Sequence, residues 1–207
     1  MLTKQILWDL FTRATPVVLS LVWQHVKNKK AQKKLRVSNS QLTAKTTYYP
    51  QIMGLKNGVL INGCVNRVFE QTEITRFLIL IGINGKEAMQ HVSVVLARTK
   101  GNPEVDPKVY QDLKTDKDYS RRLKRLEKEG EIVIDVFEMP RGMLKSIYYK
   151  EMISHSILKF IARTNIDEGN DAFAFASIAT DTENPISEFD KIIINKEFEL
   201  IKKYLKS

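Results

Sequence analysis

The segment TRFLILIGING, residues 75–85, constrains this chain more than any other. Phe, Leu and Ile fill it, and these types suit a pleated, buried surface. It closes on Asn84-Gly85, the dipeptide best suited to the left-handed residues of a hairpin turn. HVSVVLART (91–99) follows at the right distance to pair back on it. The pair predicts an antiparallel hairpin and therefore a sheet that needs covering.

The covering elements are legible on either side. Upstream, Leu60, Ile61, Cys64, Val65, Val68 and Phe69 form a stripe at helical spacing in a region starting near Ile52. Downstream, GNPEVDP (101–107) reads as a loop. DYSRRLKRLEKEGE (118–131) reads as a charged helix ended by Gly130, with Leu123 and Leu126 as its apolar edge. IVIDVF (132–137) is a predicted strand broken by MPRG (139–142), and MLKSIYYKEMI (143–153) a predicted helix. SHSILKFIA (154–162) and AFAFASIAT (172–180) read as strands joined through NIDEGND. The helix predicted over 186–205 puts Ile193, Ile194, Phe198, Ile201 and Leu205 on one face.

Charge divides the chain differently. Residues 1–50 carry nine Lys or Arg against the single acid Asp9, while 51–207 carry 24 basic and 23 acidic residues. Most of the net charge of +9 therefore belongs to an arm, residues 1–37, and the body is nearly neutral. Residues 38–51, SNSQLTAKTTYYPQ, have the composition of a linker. The third unit, 52–207, is long enough for a domain with its own core. One cysteine excludes an internal disulfide and fits a reducing, cytoplasmic location.

The order helix, strand, hairpin strand, helix, strand, helix, two strands, terminal helix, over about residues 52–205, resembles the GAF domain family, a relative of PAS domains. The resemblance is carried by INGCVNRVFEQTE running into ITRFLILIGING, by YYKEMISHSILKFIAR, and by DAFAFASIATDTENPISEFDKIII. In the last of these a small-residue strand, Phe173 to Ala179, is followed by the polar turn Asp181 to Asn184 and by Phe189-Asp190 at a helix start. The resemblance implies an α+β fold, a central antiparallel sheet with helices on both faces. It also implies a small-molecule pocket on one sheet face, and terminal helices that pair two copies into a homo-oligomer. Asn195-Lys196 follows Phe189-Asp190 instead of preceding it, out of order for the family's cyclic-nucleotide pattern. Cys64, on the first helix, is not placed as a bilin-attaching cysteine would be.

If the segment Arg141 to Tyr149 roofs such a pocket, four residues become candidate ligand contacts. Arg141 would pair with an anionic group, Tyr148 would stack or donate its hydroxyl, and His155 and Ser156 would fix orientation. The bland alternative is a surface helix with tyrosines packed on the sheet, over a face filled by Phe137, Tyr149, Phe160 and Phe175. Strict alternation sets His155 and Ile157 on one face of their strand, and Ser156 and Leu158 on the other. His25, His91 and His155 have no ligand spacing, so a metal site has no support, and no cofactor is specified. Asp167, Glu168 and Asp171 read as a solvated turn. No nucleophile–base set is visible, so the chain reads as a non-enzymatic regulatory or sensory module. A ligand-free dimer scaffold is the alternative.

The arm contains VVLSLVWQHVKNKKAQKKLR (17–36). Its apolar run ends at Trp23, short of the roughly 20 residues a membrane span needs. An amphipathic helix lying at an interface fits better. Trp8, Phe11 and Trp23 would supply its apolar side, and Lys29, Lys30, Lys33 and Lys34 its cationic one. A protein partner is the equal rival for that surface, and nucleic acid is a weaker one, having no aromatic residues among the lysines. Removing residues 1–37 is expected to change association and leave folding intact. Each lysine near an anionic leaflet contributes about 1 kcal/mol, so full-length protein should cosediment with anionic vesicles and the truncated protein should not. Equal sedimentation removes the membrane role, and salt-sensitive binding to DNA of any sequence promotes nucleic acid in its place.

Overall fold

The computed structural model describes residues 55–85, 88–101, 105–167 and 170–206, together with Lys27 and Lys29, which are helical and exposed. Trp8, Phe11, Trp23, Lys30, Lys33, Lys34 and the linker at 38–51 lie outside the described residues. Among the described residues, no helix is long and apolar enough to cross a membrane.

Six strands form one sheet in the order β3-β2-β1-β6-β5-β4, every neighbouring pair antiparallel. They are β1 (Arg76–Gly85), β2 (Ala88–Thr99), β3 (Leu113–Lys114), β4 (Glu131–Asp135), β5 (His155–Asp167) and β6 (Asn170–Thr180). Helices α1 (Leu55–Gln71) and α4 (Glu188–Lys206) cover one face; α2 (Lys117–Glu129), α3 (Met143–Lys150) and a short 3-10 helix (Pro107–Tyr110) cover the other. This is the α+β arrangement expected, with helices on both faces.

Alternation along the central strands builds both cores. Phe77, Ile79 and Ile81 of β1 join Ala174, Ala176 and Ile178 of β6 beneath α1 and α4. Leu78 and Leu80 join Phe173, Phe175 and Ala179 on the opposite face. There Phe160, Phe173 and Phe175 stack in tilted succession, with centroids 5.8 and 5.4 Å apart. The helix faces are those expected: Ile61, Cys64, Val65 and Val68 of α1 and Ile193, Ile194, Phe198, Ile201 and Leu205 of α4 are buried. Leu60, at the edge of the first stripe, is exposed.

Three local readings shift. Asn84 and Gly85 are ladder residues, paired with Met89 and Ala88, so the hairpin closes two residues later than the dipeptide suggested; a register shift after Ile83 accompanies the extension. Strands β5 and β6 likewise run on to the pair Asp167–Asn170, absorbing most of the proposed NIDEGND loop. The GNPEVDP loop leads directly into the 3-10 helix, which Asp106 caps by accepting from Lys108 N–H at 2.9 Å, with Pro107 supplying the fixed first residue.

The termini of the helices have identifiable causes. Thr72 ends α1: its hydroxyl donates to Val68 O at 2.6 Å and accepts from Ile74 N–H at 3.2 Å. Gly130 ends α2 in the left-handed region, at φ 79°, with its N–H bonded to Leu126 O. Ser187 and Asp190 form a reciprocal capping box at the start of α4. The basic stretch of α2 is a solvated face with internal pairs, Arg122 with Asp118 and Arg125 with Glu129.

One carboxylate serves two helices. Asp116 Oδ1 accepts from Tyr119 N–H at 2.8 Å to cap α2, and Oδ2 accepts from Met143 N–H at 2.8 Å at the start of α3. Losing a cap costs about 1 kcal/mol, and an orphaned, half-buried donor adds about 1 more. Asp116→Ala is therefore expected to lower stability by about 2 kcal/mol in urea unfolding. A loss no larger than that of an ordinary surface substitution would show the second bond to be idle.

Candidate functional site

The face covered by α3 was the expected ligand face. Leu144, Ile147 and Tyr148 of α3 point into it and are buried. Tyr148 and Ser156 do come together there, hydroxyl to hydroxyl at 3.3 Å, and Ser177 Oγ lies 3.4 Å from each. The other two expected contacts are elsewhere. Arg141 is exposed on the outside of the turn, because Lys145 ties that turn down by donating to Phe137 O and Met139 O. His155 is turned to the opposite side of β5, with Nε2 3.0 Å from Glu183 O. Alternation alone separates it from Ser156. The aromatic filling differs too: Phe175 is buried and Phe160 half-buried, whereas Phe137 and Tyr149 are exposed and meet edge to face at 6.5 Å.

What this face also holds, at the start of β1, is a buried ion pair. Arg76, the first residue of β1, is 1% exposed. Its place in the alternation, with Leu78 and Leu80, aims it beneath α3. Nη1 pairs with Glu151 Oε2 and donates to Tyr110 OH at 3.0 Å; Nη2 donates to Ser177 Oγ at 2.8 Å. Tyr110 in turn donates to the Glu151 carboxylate at 2.7 Å. The Tyr148 ring lies against the guanidinium, 4.9 Å from centroid to Cζ. Arg76 Nε is buried without a hydrogen-bond partner.

The backbone is bent to deliver these groups. Glu151 follows α3, and Met152 after it is left-handed at φ 56°; Ile153 N–H then bonds back to Tyr148 O at 2.9 Å. A glycine ordinarily closes a helix this way. Asp112, two residues after Tyr110, is the second left-handed non-glycine, at φ 55°. Such backbone costs about 1–2 kcal/mol for an ordinary side chain.

Burial opposes the charge on Arg76, but Tyr110, Tyr148 and Glu151 outweigh it, so the guanidinium keeps its proton more firmly than usual. Burial is also the main cause that raises the phenols of Tyr110 and Tyr119, which remain neutral.

The other face carries a second, partly exposed cluster. Arg67 of α1 donates Nε and Nη2 to Glu197 Oε2 of α4, at 3.0 and 2.7 Å, and Nη2 also reaches Cys64 Sγ at 3.1 Å. The hydrogen bonds from Arg67 hold Glu197 below the usual carboxylate range. Burial, with Glu197 beside it, pushes the Cys64 thiol up to about 11, so it is protonated at neutral pH and inert. Among the described residues no group of three His, Cys, Asp or Glu side chains could hold a metal ion. A separate cleft of about 330 Å³ lies at the start of α4, lined by Glu73, Thr180, Thr182, Asn184, Ser187 and Asp190 among others.

Sequence reasoning missed Arg76, Tyr110, Glu151 and Ser177. The one available signal was alternation, which sets Arg76 on the same side as Leu78 and Leu80. Removing one partner of a buried pair leaves the other charge uncompensated and costs about 3–5 kcal/mol. Glu151→Ala should therefore destabilise by that amount, while Arg76→Met with Glu151→Leu should cost less than Glu151→Ala alone. Urea midpoints of the two variants test this; a double variant as damaged as the single one would show that the hydrogen bonds, not the uncompensated charge, dominate.

No protein-family model matches the sequence, and comparison with characterised protein sequences finds no match. Solved structures do match in fold. The GAF domain of a two-component sensor histidine kinase from Bacillus halodurans superposes with a TM-score of 0.52 at 12% identity, covering 72% of this chain and 92% of that one. A GAF domain/HD domain protein from Geobacter sulfurreducens gives 0.50 at 11% identity, covering 71% and 90%. A far-red cyanobacteriochrome photoreceptor gives 0.50 at 10% identity, covering 86% and 97%. The fold of this chain is GAF-like.

Proposed function

We propose that this chain is a non-enzymatic regulatory module of GAF-like fold that works by association, with its α3-covered sheet face occupied by its own side chains. The observation that supports this is the Arg76–Glu151 pair with Tyr110 and Ser177, buried within that face. A face that already holds an internal charge pair offers a metabolite little to bind. The surfaces assigned to signalling are the α1–α4 layer and the basic arm. Val59 of α1 and Phe189 and Ile192 of α4 are large exposed apolar residues, suited to a second copy or another protein. The arm is assigned to a partner or to an anionic membrane surface.

A second reading, a sensor that takes a small molecule, keeps one supporting observation. The cleft at the start of α4 is within the size range of ligand pockets, about 300–1,000 Å³, and is rich in hydroxyl and carboxylate groups. Native mass spectrometry of the purified protein separates the two. Association alone predicts the mass of one or more bare chains, and no change in Tm with nucleotides, cyclic nucleotides or small metabolites. A retained small molecule, or a metabolite that raises Tm, would replace the first reading with the second.

A further inference from the structure

We propose that the sheet face beneath α3 is a guanidinium-binding site whose ligand is the chain's own Arg76 side chain. This deepens the reading of a face filled from within, and rests on it.

The contacts around Arg76 are those that recognise a free guanidinium. A carboxylate, Glu151, pairs with one end of the planar fork. Neutral hydroxyls, Tyr110 and Ser177, take one hydrogen bond on each Nη. An aromatic face, Tyr148, lies 4.9 Å from Cζ. A planar, delocalised cation suits all three kinds of contact at once, and an ammonium does not. The contributing groups come from four places: the 3-10 helix, α3, the turn after it, and β6. They converge on the two Nη groups, both bonded, whereas Nε, the third nitrogen of the guanidinium, is buried and unpartnered. The site is therefore complementary to the forked Nη end of an alkylguanidinium. With Arg76 removed, the site would keep one carboxylate, so its ligand class is a monovalent guanidinium cation.

Arg76→Ala deletes a fragment equivalent to N-ethylguanidinium. The experiment measures Tm and folded fraction, by circular dichroism, of wild type and Arg76→Ala with millimolar N-ethylguanidinium, the neutral isostere N-ethylurea, and propylammonium. Arg76→Ala is expected to lose stability and to recover much of it with N-ethylguanidinium only, whether it begins folded or partly unfolded. The added substitution Glu151→Gln should abolish the recovery. No gain in either Tm or folded fraction, or an equal gain with N-ethylurea or propylammonium, overturns the inference and leaves the filled-face reading standing. Stabilisation of wild type by N-ethylguanidinium to the same degree overturns both, since the face would then be open with Arg76 in place.

Discussion

A guanidinium is buried at the start of a central strand, and much of this domain is arranged to make that tolerable. Moving a charged group out of water costs several kcal/mol even after relaxation. Arg76 sits where β1 enters the sheet, flanked by β2 and β6, and it cannot be withdrawn without breaking that register. Its compensation must therefore come to it. Glu151 arrives from the end of α3 and Tyr110 from the 3-10 helix, and each is followed closely by a left-handed residue, Met152 or Asp112. The backbone strain sits where the polar cluster demands that the chain turn back at once. The same pair pins the cover of the sheet face, because Glu151 cannot leave without stranding Arg76.

The two faces of the sheet are stabilised by different means. Beneath α1 and α4 the packing is mainly aliphatic, with Phe69, Phe77 and Phe198 among it, and the charged groups are Arg67 with Glu197, and Lys159 with Glu131 and Asn195. In each of these pairs one partner, Glu197 or Lys159, is buried while the other reaches solvent. Beneath α3 aliphatic side chains pack with Phe173, Phe175, Tyr110, Tyr119 and Tyr148, and both partners of the Arg76–Glu151 pair are buried. A pair buried at both ends is costly to rearrange, because separating it leaves a charge uncompensated.

Local patterns in the sequence were sufficient for the elements and insufficient for the site. The helical stripe through Ile61, Cys64, Val65 and Val68, the αL cap at Gly130 and the apolar run of β1 are each encoded within a few residues, and each stands as read. The hairpin dipeptide Asn84-Gly85 misled by two residues, because its neighbours carry the ladder through it. The 3-10 helix was hidden because a single turn has no periodicity to detect. Of the expected ligand quartet only Tyr148 and Ser156 come together; Arg141 is set apart because its turn is tied down by Lys145, and His155 by plain alternation. Arg76 and Glu151 are 75 positions apart, with no pattern linking them; only the folded sheet brings them together.

A pocket that is filled by side chains changes how a module of this shape can act. In an open pocket, a ligand alters stability by its differential affinity for two states. With Arg76 in that place, the equivalent interaction is intramolecular and always present, so it cannot report concentration. Under the proposed reading, information must then enter through surfaces that another macromolecule can reach, and the α1–α4 layer, with Val59, Phe189 and Ile192 exposed, is one such surface. The layer is tied to the sheet through both cores' shared strands, since Phe77 and Ile79 alternate with Arg76 and Leu78 on β1. A partner that shifts α1 or α4 therefore pushes on the strand that holds Arg76. Breaking the pair beneath α3 would leave a buried charge uncompensated, so under the proposed reading the push would be resisted there. The α3-covered face would then anchor the strand against which the exposed helices move.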